Sequence, residues 1–298
     1  VDEFLTATVR GLAQGALFGM LGLGYVIIYT STRVVNFAQP ALMTLGAYWT
    51  SYFAISLGLP FCLALPIAIV VTALIGALVE RIAMRPMVGE PALAATMVTV
   101  GVFIVLQVIA ADLVGPELRQ VGDPWGLGRV QVEGVVVFYT DIATLAFLLL
   151  SVVLLTAFLK WSRAGLGMRA TASDQETALA QGVPVGRMFN LSWAISGALA
   201  AVAGVLVGTG GAGFDQNTTF VALKAIPAVV IGGLDSVRGA VVGGFLVGLA
   251  ESYTKAYQPE FLPWLGSNFD QVVPYVLMLL VLLIRPYGLF GTREVERV

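Results

Sequence analysis

Gly208-Thr209-Gly210-Gly211-Ala212-Gly213 has the G-x-G-x-x-G spacing with which a backbone turn cradles a dinucleotide pyrophosphate. That chemistry needs a strand before the glycines and a βαβ unit around them. Here they follow a long apolar run, so the stretch reads as a flexible glycine turn. No G-x-x-x-x-G-K-[ST] phosphate loop exists, because none of the three lysines (Lys160, Lys224, Lys255) follows a glycine. The chain has no histidine, which removes the usual metal ligand and the usual near-neutral proton shuttle. Its one cysteine, Cys62, lies in an apolar run and reads as a small buried residue. A lone cysteine makes neither an intrachain disulfide nor a thiolate cluster. The acids Glu80, Glu90, Asp112, Asp123, Asp141 and Glu251 sit mostly at the ends of apolar runs, with no obvious pair inside one. No catalytic set, cofactor site or metal site is expected on this chain.

Three polar positions remain as candidates for contact with something passing through. Lys224 lies inside or near the end of a short apolar run; it either faces a water-filled path or snorkels its stem to an interface. In the first case it would attract a carboxylate. Asn36 and Gln39 flank Phe37 where the second apolar run begins, with Pro40 opening it. Asn36 suits a helix cap or a polar path equally.

The elements that must hold these residues are membrane segments. Of 298 residues, 58% are hydrophobic and 11% charged, where a soluble domain carries about 25% charged. The mean hydropathy is +0.90. The net charge of −2 suggests neither a nucleic-acid partner nor mere surface attachment. Apolar runs fall at about 11–30, 37–57, 61–80, 92–114, 139–159, 188–209, 219–233, 239–255 and 271–285. Without an alternating strand pattern, a bilayer admits these only as helices. Small residues such as Gly15, Gly19, Gly22, Gly24, Gly239, Gly243, Gly244 and Gly248 would let the helices approach closely. The run at 219–233 is short and holds Pro227, which predicts a broken or re-entrant helix. The expected fold is all-α: a polytopic membrane bundle of eight or nine segments, one domain over 1–298. The amino-terminal V-D-E-F-L-T-A-T-V-R is acidic where a signal peptide would be basic, so the first run reads as a retained span.

Orientation follows from loop charges. If nine segments cross, Arg33, Arg81, Arg85, Lys160, Arg163, Arg169, Arg187, Arg238, Arg285, Arg293 and Arg297 share one side, and Arg10, Arg119, Arg129 and Lys255 the other. The richer side is placed in the cytoplasm, which puts the amino terminus outside and the carboxyl terminus inside. The stretch 115–138 is then the longest outside loop. Its Trp125, between charges, suits contact with an outside protein or a packed cap equally well.

Between the spans lies a polar island. Lys160, Arg163, Arg169, Asp174, Glu176 and Arg187 would together cost on the order of 15 kcal/mol to bury in the bilayer, so the segment at about 162–187 stays in the cytoplasm. Ser173-Asp174-Gln175-Glu176 has capping-box spacing, with Ser173 as the cap. Ala178, Leu179 and Ala180 favour helix, Gly182 suits a left-handed stop, and Pro184 prevents resumption. A helix of about two turns is expected, too short to stand alone in water. It is either an ordered connector or a docking helix for a soluble motor.

The stretch R-A-T-A-S-D-Q-E-T-A-L-A-Q-G-V-P-V-G-R-M, 169–188, resembles the cytoplasmic coupling segment of ABC-importer permeases of the branched-chain amino-acid (leucine/isoleucine/valine) type. The segment 15–48 is similar to that family's first helix and its N-F-A-H-G turn. The stretch V-E-R-I-A-M-R-P-M, 79–87, resembles its first basic loop, 223–251 its glycine-rich late segment, and R-P-Y-G-L-F-G, 285–291, its terminal one. The likeness runs nearly end to end. One departure is that Asn36-Phe37-Ala38-Gln39-Pro40 lacks the family's histidine and adds a proline.

The resemblance implies a non-enzymatic permease subunit in a bacterial inner membrane. It implies a like or identical second permease subunit, two cytoplasmic ATPases holding ATP and Mg, and an extracytoplasmic solute-binding protein. Ser173, Asp174, Glu176, Ala178 and Gly182 would form the ATPase contact; Asn36, Gln39 and Lys224 would belong to the translocation path. Related permeases are associated with urea and short amides as well, so the cargo stays open. The rival is a secondary transporter or facilitator working without an ATPase, which calls for buried ionisable groups.

Overall fold

A computed structural model of the chain describes residues 2–132, 135–266 and 268–292. Its helices in order are α1 (Asp2–Thr32), α2 (Gln39–Ser51), α3 (Phe61–Val79), α4 (Ala92–Val114), α5 (Tyr139–Trp161), α6 (Arg163–Ser173), α7 (Gln175–Ala180), α8 (Val185–Val207), α9 (Thr219–Leu223), α10 (Ala225–Gly232), α11 (Val237–Phe261) and α12 (Val273–Ile284). Wider π turns continue α2 over Tyr52–Ser56 and α3 over Glu80–Met84. Among the described residues, five helices are long and apolar enough to cross a membrane: Asp2–Thr32, Phe61–Met87, Ala92–Val114, Tyr139–Trp161 and Val185–Val207. The shorter apolar helices Thr219–Gly232 and Phe269–Ile284 accompany them. Arg293 and Arg297, used above for orientation, lie outside the described residues.

The all-α expectation needs one correction. Strands β1 (Arg129–Val132) and β2 (Val135–Phe138) pair antiparallel, Arg129 opposite Phe138 and Val132 opposite Val135. Two β-branched runs flank the two residues Glu133 and Gly134, a pattern that favours a hairpin. The hairpin starts α5, and α6 and α7 follow the other end of that 23-residue helix. The two features therefore mark opposite faces, about 35 Å apart, called here the hairpin face and the knob face.

Helix α1 is buried along most of its length and forms the axis of the fold. Small residues make this possible. Gly11, Gly15 and Gly19 face Leu249, Phe245 and Val241 of an antiparallel α11, and a Cβ on Gly244 or Gly248 would run into the backbone of α1. Each helix thus carries glycine at four-residue spacing, the arrangement that lets backbones touch in lipid. Helix α8 packs in the same way, with Gly197 against Thr72 and Gly204 against Met43.

Helices α3, α4 and α5 surround this core and bury only one stripe each: Ala64, Ala68, Thr72 and Gly76 on α3; Ala95, Thr99, Leu106 and Ala110 on α4. Their other faces carry exposed Leu, Ile and Val, which a bilayer solvates as readily as a core does. Cys62 is one such residue. It is exposed rather than buried, a correction to the sequence expectation. Its physical reason is position: it lies off the four-residue stripe that α3 turns inward.

Candidate functional site

The polar island folds as two helices, not one. Ser162 Oγ accepts from Gly165 N at 2.8 Å and starts α6, which buries Gly165, Gly167, Met168 and Thr171. At its end, Arg33 Nε donates to Ala172 O at 3.3 Å, a basic group on a helix's last carbonyls. The chain then turns at Asp174 (φ −161°, ψ 113°) into α7. The cap of α7 is Asp174, one residue later than the expected Ser173. Asp174 accepts from Thr177 N at 3.1 Å and from the Thr177 hydroxyl at 2.6 Å, two bonds where a serine cap at position 173 would make one. Ser173 completes α6 instead, and Glu176 stands exposed in the first turn of α7 rather than closing a capping box. The Thr177 hydroxyl holds the Asp174 carboxyl below its usual pKa. The cap therefore persists into mild acid and is lost as pH falls through that lowered value.

The stop lies where the sequence places it. Gly182 has φ +80°, Gly182 N reaches Leu179 O at 2.9 Å and Val183 N reaches Ala178 O at 2.9 Å. These bonds close the last turn around a left-handed glycine. Ala178 is buried against Val185 and Phe189, so the short helix is seated on the start of α8. Ser173, Asp174, Glu176, Thr177, Leu179 and Gly182 point outward. The knob thus presents carboxylates, hydroxyls and one exposed leucine on a helix clamped at a single small residue.

Beneath the knob is a cavity of 290 Å³ lined by Arg33, Met84, Glu90, Gln175, Phe189 and Trp193, among others. The connection between α3 and α4 braces its far wall. Arg85 Nη2 donates to Gly186 O at 3.0 Å, and Asn190 Nδ2 donates to Glu80 Oε2 at 2.7 Å and to Ala77 O at 2.8 Å. Glu80 is fully buried, with Arg85 3.5 Å away. The segments that flank α7 are therefore anchored: the start of α8 to the end of α3, and the end of α6 to Arg33 beyond α1.

Asn36 and Gln39 lie on the break between α1 and α2. Arg33 has φ +58°, and the backbone then runs non-helical to Ala38 inside the protein. Buried backbone without a ladder must find partners. Thr99 Oγ accepts from Phe37 N at 3.1 Å and reaches Val35 O at 3.0 Å; Asn36 Oδ1 accepts from Ala38 N at 2.9 Å. Asn36 Nδ2 donates to Gln39 Oε1 at 3.3 Å, and Ser196 Oγ lies 2.6 Å from the same oxygen. Gln39 Nε2 in turn donates to Ser196 O. Both residues are fully buried. They form one brace joining α1, α2 and α8. The sequence offered Asn36 as a helix cap or a path contact, but Ala38 is the cap of α2. Thr99 and Ser196, the brace's other members, were missed because a lone hydroxyl on an apolar helix carries no pattern.

Lys224 is elsewhere, at the junction of α9 and α10. The run at 219–233 does break, at Lys224 and not at Pro227, which occupies the first turn of α10 where its missing N–H is harmless. Lys224 Nζ engages Glu251 Oε1 of α11. The sequence expectation concerned pairs among the acids and did not extend to this pairing of an acid with a lysine; Glu80 and Glu251 are both buried ionisable groups. Tertiary packing, not spacing, joins residues 27 positions apart. Trp125 is half-buried with its ring edge-on to Phe61 at 5.5 Å, and Arg119 bridges Phe214 through backbone bonds. The loop after α4 therefore packs as a cap, and Gly210, Gly211 and Gly213, all with positive φ, form the turn beneath it.

Comparison with known proteins points to one family. The family described as "Branched-chain amino acid transport system / permease component" matches residues 7–282. The high-affinity branched-chain amino acid transport system permease protein BraD of Pseudomonas aeruginosa is 32% identical, covering 100% of this chain and 99% of that protein. LivH of Escherichia coli K12, whose name is otherwise the same, is 30% identical over 99% of this chain and 98% of its own. A probable LivH of Methanocaldococcus jannaschii is 28% identical over 92% and 89%. Among solved structures, PsaBC from Streptococcus pneumoniae in complex with Fab shares the fold at TM-score 0.50 and 15% identity, covering 96% of this chain and 93% of that one. A match across nearly its whole length places this chain in the branched-chain amino acid transport system permease family, as a membrane-embedded transport subunit.

Proposed function

We propose that this chain is the permease of an ATP-driven importer for branched-chain amino acids, a single domain that works with a like second permease subunit, two ATPases and an extracytoplasmic binding protein. The observation that carries the reading is the knob: a two-turn helix, capped by Asp174, stopped at Gly182 and pinned only through Ala178, with its polar face free. Such a helix has no role in packing a bundle core, yet the segments on either side of it are anchored, the end of α6 by Arg33 and the start of α8 by Arg85. ATP and Mg reside on the partner chains. Ser173, Asp174, Glu176 and Gly182 form the contact that receives their motion, while Ala178, expected there from the sequence, is buried beneath it and seats the helix on α8. A driver must bind two states differently to shift them, so this contact changes between outward- and inward-open forms.

Nine segments cross in this reading, with α2 extended by its π turn and α9–α10 as the broken one. The knob face is cytoplasmic, the amino terminus outside and the membrane the bacterial inner membrane. Asn36, Gln39 and Lys224 serve the path, the first two where the α1–α2 break can rearrange. The buried charges Glu80 and Glu251 are what a gradient-driven carrier would need, but each is matched by a cation. Co-expression with the cognate ATPases tests the proposal: Glu176→Lys should lower ATPase recovered with the permease at least about tenfold, while the permease's own thermal midpoint holds. Unchanged recovery and unchanged ATP-driven uptake reject the contact.

A further inference from the structure

Glu251 is 3% exposed in the second half of α11, and Lys224 engages only one of its oxygens. The other, Oε2, is buried without a hydrogen-bond partner. Lys224 keeps 19% of its side chain exposed, and Phe220, four residues earlier, is also exposed.

A buried ion pair adds little stability over an apolar pair of equal volume, and ionisable groups inside a membrane segment mark sites of function. The pair is not needed to hold its helices together. Helices α10 and α11 are already in backbone contact where Gly243 meets Ala228 and Gly239 meets Gly232. What the pair does offer is one positive and one half-satisfied negative group side by side, at a helix break where ligand sites form in membrane transporters.

We propose that Lys224 and Glu251 form a recognition site for the backbone zwitterion of an α-amino acid. When empty, the pair closes on itself. When loaded, the substrate carboxylate takes Lys224 and its ammonium takes Glu251, with Oε2 accepting the added donor. Net charge is zero in both states, so no unpaired charge is ever left in low dielectric. The apolar side chain of the substrate lies toward Phe220. This site rests on the importer reading above and names the part of the substrate that the permease itself reads.

The test uses the complete importer in proteoliposomes, with leucine as the probe. If the unmodified importer moves no leucine with ATP, the substrate reading falls and the pair is not at issue. Given uptake by the unmodified importer, K224M/E251L replaces the pair with apolar groups of similar size; uptake per assembled complex should drop at least about tenfold with the ATPases still bound. Uptake within about twofold of the unmodified importer overturns the proposal. Should that variant not assemble, Glu251→Asp and Lys224→Arg keep the charges and shift their positions. Each should raise the leucine KM at least about threefold without lowering the thermal midpoint; an unchanged KM in both overturns it.

Discussion

Gly182→Val should reduce ATP-driven uptake at least about tenfold while the bundle stays folded. The reason is backbone geometry alone. Gly182 stands at φ +80°, and a Cβ there would meet nothing within 4 Å, so steric room is not at issue. A β-branched residue in the left-handed region costs about 1–2 kcal/mol, and α7 holds too few hydrogen bonds to absorb it. The last turn opens, Ala178 loses its fixed seat on Val185 and Phe189, and the knob no longer transmits a push. Gly182→Asn is the matched control, because asparagine tolerates this conformation; it should retain most of the uptake. Rates measured in proteoliposomes, beside ATPase rates, separate loss of coupling from loss of the ATPases.

Gly248→Leu should severely destabilise the fold. A Cβ at this position would collide with backbone atoms of Gly15 and with Gly11 O, and backbone cannot move aside as a side chain tip can. The helices would have to part along the contact on which the fold is centred. Overpacking a close seam costs about 1–3 kcal/mol for extra methylenes, and a leucine against backbone lies at or beyond the top of that range. Gly101→Leu is the control: nothing lies within 4 Å of its Cβ, on the lipid-solvated face of α4. Thermal unfolding in detergent should show a collapsed midpoint for the first and an unchanged one for the second.

These two glycines show where the sequence was legible. Gly182 was read correctly because a stop signal is local: good helix formers, then glycine, then proline. The glycine spacing on α1 and α11 was visible, though not which helices it joins. The cap shifted from Ser173 to Asp174 because the deciding partner, the Thr177 hydroxyl, enters only once the turn is built. Helix α6 escaped notice since its buried face is Gly165, Gly167, Met168 and Thr171, small or isolated residues with little apolar rhythm. Cys62 was misplaced because, in lipid, an apolar residue need not face inward. The Lys224–Glu251 pair and the Thr99 and Ser196 hydroxyls were hidden for a common reason: each depends on contact between helices distant in sequence, which periodicity along one helix does not encode.

The central claim is that work enters this chain through α7 from outside it. Leucine uptake into proteoliposomes, measured with the ATPases present and omitted, tests that claim most directly. The account predicts accumulation only with the ATPases, the binding protein and ATP, and none from an imposed proton or sodium gradient on this chain with its partner permease. Accumulation driven by such a gradient with the ATPases left out would contradict it.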